Sequence, residues 1–439
     1  MVCTRPRRLP LLLLLIALST AALTAQSRTR SLEEIYLRAR ELDPSIEAAE
    51  LRVAQARLES QSRWNRYLPS VELGTSLSRR TTSDGPEWSS SLSASAALAL
   101  PRGAAEEGER LTVAEAAATV ELRRLESELL REVREEYYAL LLARERLRIA
   151  ERNGELEAQR LEQVEVLFEQ GRASELDLLE TRSQALRRRP EIIGRREALL
   201  LERNGLEARL RLEPGDELIL EGAEELSTLT EALAAGRYEP PGVERVLAGS
   251  HRIEAQELEV RRARAQEGVT VAERNLPGVR ASYSYSPSVT PPFDGEGWGS
   301  GATWETGTLS FRLTLPVTPF VPGSRESNAV IAASREVEGR EIELAEAERE
   351  VRLKVEELGA LLNFSLEKIE VLEEAVEMAR TLYEESQEIY ESGGVELLDV
   401  ENAQAELEQA ELDLLQERYN TVVRLAELEA LAGRRSIRE

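Results

Sequence analysis

Two rhythms of hydrophobic and polar positions divide the chain. Between 104 and 170, Leu122, Leu125, Leu129, Val133, Tyr137 and Leu140 recur at spacings of three and four. Between 351 and 390, Val351, Val355, Leu358, Leu362, Ile369, Leu372, Val376, Ala379 and Tyr383 follow a similar spacing. Glu and Arg fill the other positions, so both stretches predict long amphipathic helices of coiled-coil type. No proline interrupts 102–189 or 323–439. A helix of about 68 residues is roughly 100 Å long, more than any compact domain spans. Asp43 followed by Pro44 predicts an N-cap and a first helical position.

The second rhythm has period two. In 88–100 the even positions read Trp88, Ser90, Leu92, Ala94, Ala96, Leu98 and Leu100, against serines on the odd side as far as Ser95. Val279, Ala281, Tyr283 and Tyr285 alternate with Arg280 and serines, and Leu309, Phe311, Leu313 and Leu315 alternate with polar residues. These are half-buried strands. They predict two hairpins, about 70–80 with 87–100 and 278–286 with 303–315, closed by loops 81–86 and 287–302. The segments 71–100 and 279–315 are poor in Glu and rich in Ser, Thr and Gly. All four Trp (Trp64, Trp88, Trp298 and Trp304) lie in or beside the strand regions. That placement suits aromatic girdles at a lipid interface, with Tyr283 and Tyr285 beside them.

The chain reads as written twice. Residues 46–53 (IEAAELRV) and 253–260 (IEAQELEV) are identical at six of eight positions. Leu68-Pro69-Ser70-Val71 matches Leu276-Pro277-Gly278-Val279, which puts Pro69 and Pro277 at helix-to-strand junctions. Gly171 with Asp177 matches Gly393 with Asp399. A period this long is a duplicated domain rather than a solenoid. The expected organisation is a first repeat over 26–212, an intervening segment over 213–250 with short helices, and a second repeat over 251–439. Four strands per chain cannot close a membrane barrel, which needs at least about 8. An open pair of hairpins in a bilayer requires further chains.

Residues 1–25 carry Arg5, Arg7 and Arg8, an apolar run from Leu9 to Leu18, and small residues up to Ala25. This is a secretory signal layout, too short for a spanning helix. Composition narrows the class further. Eighty-one acidic against 56 basic side chains give a net charge of −25, which disfavours a nucleic-acid partner. One Cys and one His leave no basis for a metal, haem or thiol cofactor. Among the basic residues only Lys354 and Lys368 are lysine. His251 is expected at the surface, Arg187, Arg188 and Arg189 on a solvated helix face, and Glu408 exposed. Pro190 is expected to kink or end its helix.

The order and duplication of these motifs, together with the signal layout, resemble the TolC family of outer-membrane efflux and secretion channels. The resemblance rests on Ser31-Leu32-Glu33-Glu34 through Asp43-Pro44, the two Leu-Pro motifs, Gly171-Arg172-Ala173-Ser174-Glu175-Leu176-Asp177, and Gly393-Gly394-Val395-Glu396-Leu397-Leu398-Asp399. It implies a mainly α chain with a small β part: a long α-helical coiled-coil barrel plus two β-hairpins per chain, contributing to a trimeric 12-stranded outer-membrane β-barrel. It further implies an exit duct that is not an enzyme and needs no cofactor. The duct would dock a periplasmic adaptor and an inner-membrane transporter, for efflux or type I secretion. Gly171 and Gly393-Gly394 then sit at the periplasmic tip, with Asp177, Glu180 and Asp399 at its narrow end. The family's second acidic position is Asn402 here, so a doubled acidic ring is missing. Two rival classes are a periplasmic coiled-coil adaptor and a structural envelope protein. The first lacks a visible lipoyl-like domain, and the second leaves the matched hairpins unexplained.

The signal layout generates a direct test. The mature protein purified from membranes should begin near Gln26 by N-terminal sequencing; an intact Met1 would contradict export by this route.

Overall fold

The computed structural model describes residues 28–83, 85–212, 218–220, 225–235, 241–286, 288–289, 307–315, 317, 321–392 and 394–434. The signal segment, most of the expected 287–302 loop, residues 303–306 and Gly393 therefore lie outside the described residues, as do Trp298 and Trp304.

The helices are α1 (Leu32–Leu42), α2 (Pro44–Gln61), α3 (Ala104–Glu169), α4 (Glu175–Arg209), α5 (Glu225–Ala234), α6 (Val243–Gly249), α7 (His251–Asn275), α8 (Arg325–Glu391) and α9 (Leu397–Leu431). A 3-10 turn spans Ser62–Tyr67. The strands are β1 (Arg28–Arg30), β2 (Ser70–Thr82), β3 (Gly85–Leu100), β4 (Leu218–Leu220), β5 (Gly278–Tyr285), β6 (Ser288–Val289) and β7 (Gly307–Thr314). The long helices come in two similar pairs, of 66 and 35 residues and of 67 and 35 residues. Asp43 caps α2 as its sequence indicates: Oδ1 accepts from Ser45 N at 2.7 Å and Ile46 N at 3.4 Å. Burial works against the charge on Asp43, but the hydrogen bond from the Ser45 hydroxyl, with those from the two backbone N–H groups, outweighs it and lowers its pKa.

By its contacts the chain divides into two units, each drawn from both halves of the sequence. The first comprises 1–47, 124–250 and 351–439. Its apolar seam follows the expected spacing: Leu129, Val133, Tyr137 and Leu140 are buried on α3, and Val351, Val355, Leu358, Leu362, Ile369 and Val376 on α8. Each such side chain contributes about 1.5–3 kcal/mol relative to exposure. The first unit also pairs β1 with β4 in parallel, which the sequence reading did not foresee.

Ion pairs cross-link the helices of this unit. On α9, Glu408, Glu417 and Glu429 are buried, and each meets cations from elsewhere. Arg188 of α4 reaches Glu408 at 2.7 Å, Glu157 of α3 at 3.0 Å and Glu191 at 3.0 Å. Burial disfavours the charged guanidinium, but the hydrogen bond to Glu157 and the charge on Glu408 prevail and raise its pKa. Glu417 accepts from Lys368 of α8 at 2.7 Å and pairs with Arg424 at 3.1 Å. Glu429 is held by Arg134 of α3 and by Arg434.

These contacts correct three expectations. Arg188 is a half-buried bridge between three helices rather than part of a solvated face, although Arg187 and Arg189 are exposed. Glu408 is buried rather than exposed. Helix α4 continues through Pro190 to Arg209. Tertiary contacts flank the proline on both sides, the half-buried Arg188 bridge before it and the exposed Arg196–Glu151 pair at 2.7 Å after it, and the helix continues despite the local penalty.

The second unit comprises 48–123 and 251–350. Val113 and Val120 of α3 pack on Leu258 of α7, with Ala116, Ala117 and Ala255 around them. Glu107 receives Arg110 at 2.6 Å and Arg66 at 2.9 Å. The hydrogen bond from Arg110 leads in pushing its pKa down to about 2, against a smaller burial effect. His251, at the start of α7, is buried rather than on the surface, with Nδ1 4.0 Å from Glu254.

The unit's sheet runs β2-β3-β5-β7, antiparallel throughout. β6 pairs with β3 in the register set by β5. The first hairpin is tighter than expected. β2 extends to Thr82 and β3 starts at Gly85, so most of the expected 81–86 loop is strand.

The Arg188 bridge yields a stability test. Glu408 is the most buried of the three carboxylates that hold Arg188, and losing a hydrogen bond to a charged group costs about 1.5–3 kcal/mol. Glu408→Ala should therefore lower the far-UV circular dichroism melting temperature in detergent by several degrees. The exposed neighbour Glu406, changed to Ala, should stay within about 0.5 kcal/mol of the parent. Equal effects would remove the case for the bridge.

Candidate functional site

Two places in the fold carry functional geometry: the sheet, and the reversals between long helices. The register of the sheet aligns its apolar positions. Val71 faces Ala96, Ala96 faces Tyr283 and Tyr283 faces Leu309; in the same way Leu100, Val279 and Leu313 form one row. Cross-strand partners share a face. One face is therefore apolar across all four long strands, and the other carries serines, Thr308, Arg280 and Arg312. Leu73, Phe311 and Leu313 are more than two-thirds exposed in the single chain. Tyr283 is exposed and Tyr285 half-buried on this face, and Trp88 pairs with Arg79 in its row. Pro69 directly precedes β2, and Pro277 directly precedes β5. Among the described residues, β2 pairs with no strand but β3, and β7 with none but β5. No described helix is long and apolar enough to cross a membrane.

At the first reversal, α3 ends at Glu169 and Gly171 adopts φ +71. Its N–H donates to Phe168 O at 2.9 Å, and Arg172 N donates to Leu167 O at 2.8 Å, which satisfies carbonyls the helix end would leave open. A side chain at Gly171 would meet nothing, so backbone handedness alone makes glycine the fitting residue. Ser174 then caps α4 reciprocally: Asp177 N donates to Ser174 Oγ at 3.1 Å, and Ser174 N donates to Asp177 Oδ2 at 2.9 Å.

The second reversal repeats the carboxylate's position with a different cap. Gly394 N donates to Ile389 O at 2.9 Å. A Cβ at Gly394 would stand 2.7 Å from Ile389 Cγ2, so here space, not handedness, favours glycine. Glu396 N donates to Asp399 Oδ2 at 3.2 Å. Asp177 and Asp399 thus occupy the same place in the first turn of their helices, where a carboxylate also meets the positive end of the helix dipole. Glu180 and Asn402 are exposed three residues further along. Behind the reversals, Gln184 of α4 donates to Glu401 of α9, and Arg188 binds Glu408. Sequence reading missed this link between α4 and α9, because Arg and Glu are so frequent that no pair stands out.

Long ion-paired helices joined to a sheet with one apolar face define a membrane-channel class of protein. The family model for outer membrane efflux proteins matches residues 35–210 and 242–434, and the chain belongs to that family. It is an outer-membrane channel protein of the efflux class. Solved structures share the fold. The CusC channel aligns with TM-score 0.76 at 18% identity, covering 91% of each chain. The open-state MtrE outer membrane channel of Neisseria gonorrhoeae gives 0.76 at 16%, covering 92% of this chain and 88% of its own. The Campylobacter jejuni CmeC outer membrane channel gives 0.74 at 12%, covering 92% and 85%. No curated protein sequence matches the chain.

The first reversal separates backbone from cap. Gly171→Ala should destabilise the turn by about 1 kcal/mol and Gly171→Asn by less, because Asn tolerates the left-handed region. Asp177→Ala should cost about 1 kcal/mol through the lost cap. Hydrogen exchange of the first turn of α4 measures both; unchanged protection in Asp177→Ala would dismiss the cap.

Proposed function

We propose that three copies of this chain form the exit duct of a tripartite export assembly. Twelve strands, four from each copy, close the barrel, and the long helices continue it into the periplasm. The register of the sheet carries this reading. An apolar face suits lipid, and the free edges of β2 and β7 must be paired if the sheet is to lie in a bilayer. Family membership and the shared fold of CusC and MtrE support the same reading. Trp88, Tyr283, Tyr285, Trp298 and Trp304 then serve as interface aromatics, with loops 81–86 and 287–302 facing the exterior. A periplasmic adaptor and an inner-membrane transporter are the partners, and the duct moves its cargo passively. The reversals around Gly171, Gly393 and Gly394 form the periplasmic tip. Asp399 supplies one carboxylate per copy at the constriction, with Asn402 uncharged beside it and Asp177 and Glu180 on the neighbouring turn.

Native mass spectrometry in detergent should give three chains; a soluble folded monomer without detergent would contradict the duct. The role of Asp399 is separable from its cap, because Asn keeps the accepting oxygen and loses the charge. Asp399→Asn should reduce cation selectivity and divalent-cation block in planar-bilayer recordings while the trimer survives. The exposed Glu356, changed to Gln, is the control. Equal changes in both variants would assign the selectivity to the charge of the whole duct.

A further inference from the structure

The four connections between helix and strand have a charge unlike the rest of the chain. Taken with the helix ends that flank them, residues 62–69, 101–103, 274–277 and 315–325 hold five arginines and no carboxylate, although acids outnumber bases 81 to 56 overall; Arg274 stands in the last turn of α7 and Arg325 opens α8. The first carboxylates, Glu273 and Glu326, stand one residue further on the helix side. The antiparallel register brings all four connections to one end of the sheet, since Leu100 pairs with Val279 and Gly278 with Thr314, while Ser70 pairs with Ala97. Arg63 and Arg325 are exposed and make no ion pair among the described residues. Arg102 donates to the Glu273 carbonyl at 2.9 Å, which leaves its charge without a carboxylate there. Beside Arg63, Trp64 is 58% and Tyr67 48% exposed. Arg66 is held by Glu107 at 2.9 Å and so stands apart from Arg63, Arg102 and Arg325, like the helix arginines Arg110, Arg188 and Arg209, which are held by glutamates.

From this we infer that Arg63, Trp64, Tyr67, Arg102, Arg274 and Arg325 form a belt that binds anionic phospholipid headgroups where the sheet leaves the bilayer. Trp and Tyr favour the water–lipid boundary, with the ring in the apolar zone and the polar atom in the headgroup zone. A guanidinium pairs with phosphate through two parallel hydrogen bonds. The apolar sheet face ends at this belt, so the lipid that covers the face presents its headgroup there. The inference rests on the outer-membrane reading, in which this end of the sheet meets the periplasmic leaflet. It fixes the depth at which the chain sits.

The test uses the full-length protein in detergent with phosphatidylglycerol or phosphatidylcholine of identical chains. Native mass spectrometry counts the lipids retained. The parent should retain phosphatidylglycerol several-fold over phosphatidylcholine, and high salt should abolish the preference. Arg63→Gln with Arg325→Gln should reduce phosphatidylglycerol retention by about fivefold per arginine removed. Arg187→Gln with Arg189→Gln, also exposed but on α4, should leave it unchanged. A parent without headgroup preference overturns the belt and needs no variant to fold. So does a folded double variant that retains as much lipid as the parent. Conductance of the same parent sample in planar bilayers keeps the two ideas apart. A conducting parent without lipid preference sinks only the belt, whereas a parent that neither conducts nor requires detergent sinks the duct and the belt together.

Discussion

Inside a bilayer every backbone N–H and C=O needs a partner within the protein, and this constraint governs how the chain can be used. The four long strands satisfy one another through a continuous register, and β6 extends the pairing of β5 against β3. The same register collects Val71, Leu73, Tyr283, Phe311 and Leu313 on one face. A slip of one residue between any two strands would mix apolar and serine positions and destroy that face. The outer edges of β2 and β7 have no partner strand among the described residues.

The helices meet a different solvent with different means. Apolar seams on α3 and α8 are continuous but narrow, and much of the remaining contact is made by charge. Exposed pairs such as Arg124–Glu128 contribute little. The buried carboxylates of α9 are another matter, because each has cations from outside its own turn. Such groups tolerate only one arrangement of neighbouring helices, since sliding a helix by one turn would leave a charge stranded. Charge here fixes which helix lies beside which, while the seams supply most of the stabilisation.

Much of this was legible in the sequence. Leu129, Val133, Tyr137 and Leu140 are buried as their spacing requires, and the strand alternation located both hairpins. Asp43 caps its helix as its place before Pro44 indicates. What the sequence hid was long-range. Arg188 has acids on every side in the sequence, and only the folded register selects Glu157 and Glu408. Pro190 pointed to a break because propensity is a local quantity, whereas the contacts that overrule it come from two other helices. Thr81 and Thr82 fall in the expected 81–86 loop, yet both are β-branched and favour strand, and pairing continues to Thr82. At the reversals the carboxylates could be found by motif, but their capping role depends on backbone angles that the motif does not carry.

The near-exclusive use of arginine has a consequence for alkaline media. A guanidinium keeps its proton throughout the range in which proteins survive, whereas a lysine ammonium gives it up near pH 10. Arg110, Arg188 and Arg209 are pushed still further from that loss by their glutamates. Where Lys368 takes part, at Glu417, Arg424 reaches the same carboxylate at 3.1 Å. The helical framework is therefore protected on the basic side by the chemistry of its cations, whereas acid neutralises the carboxylates that hold them.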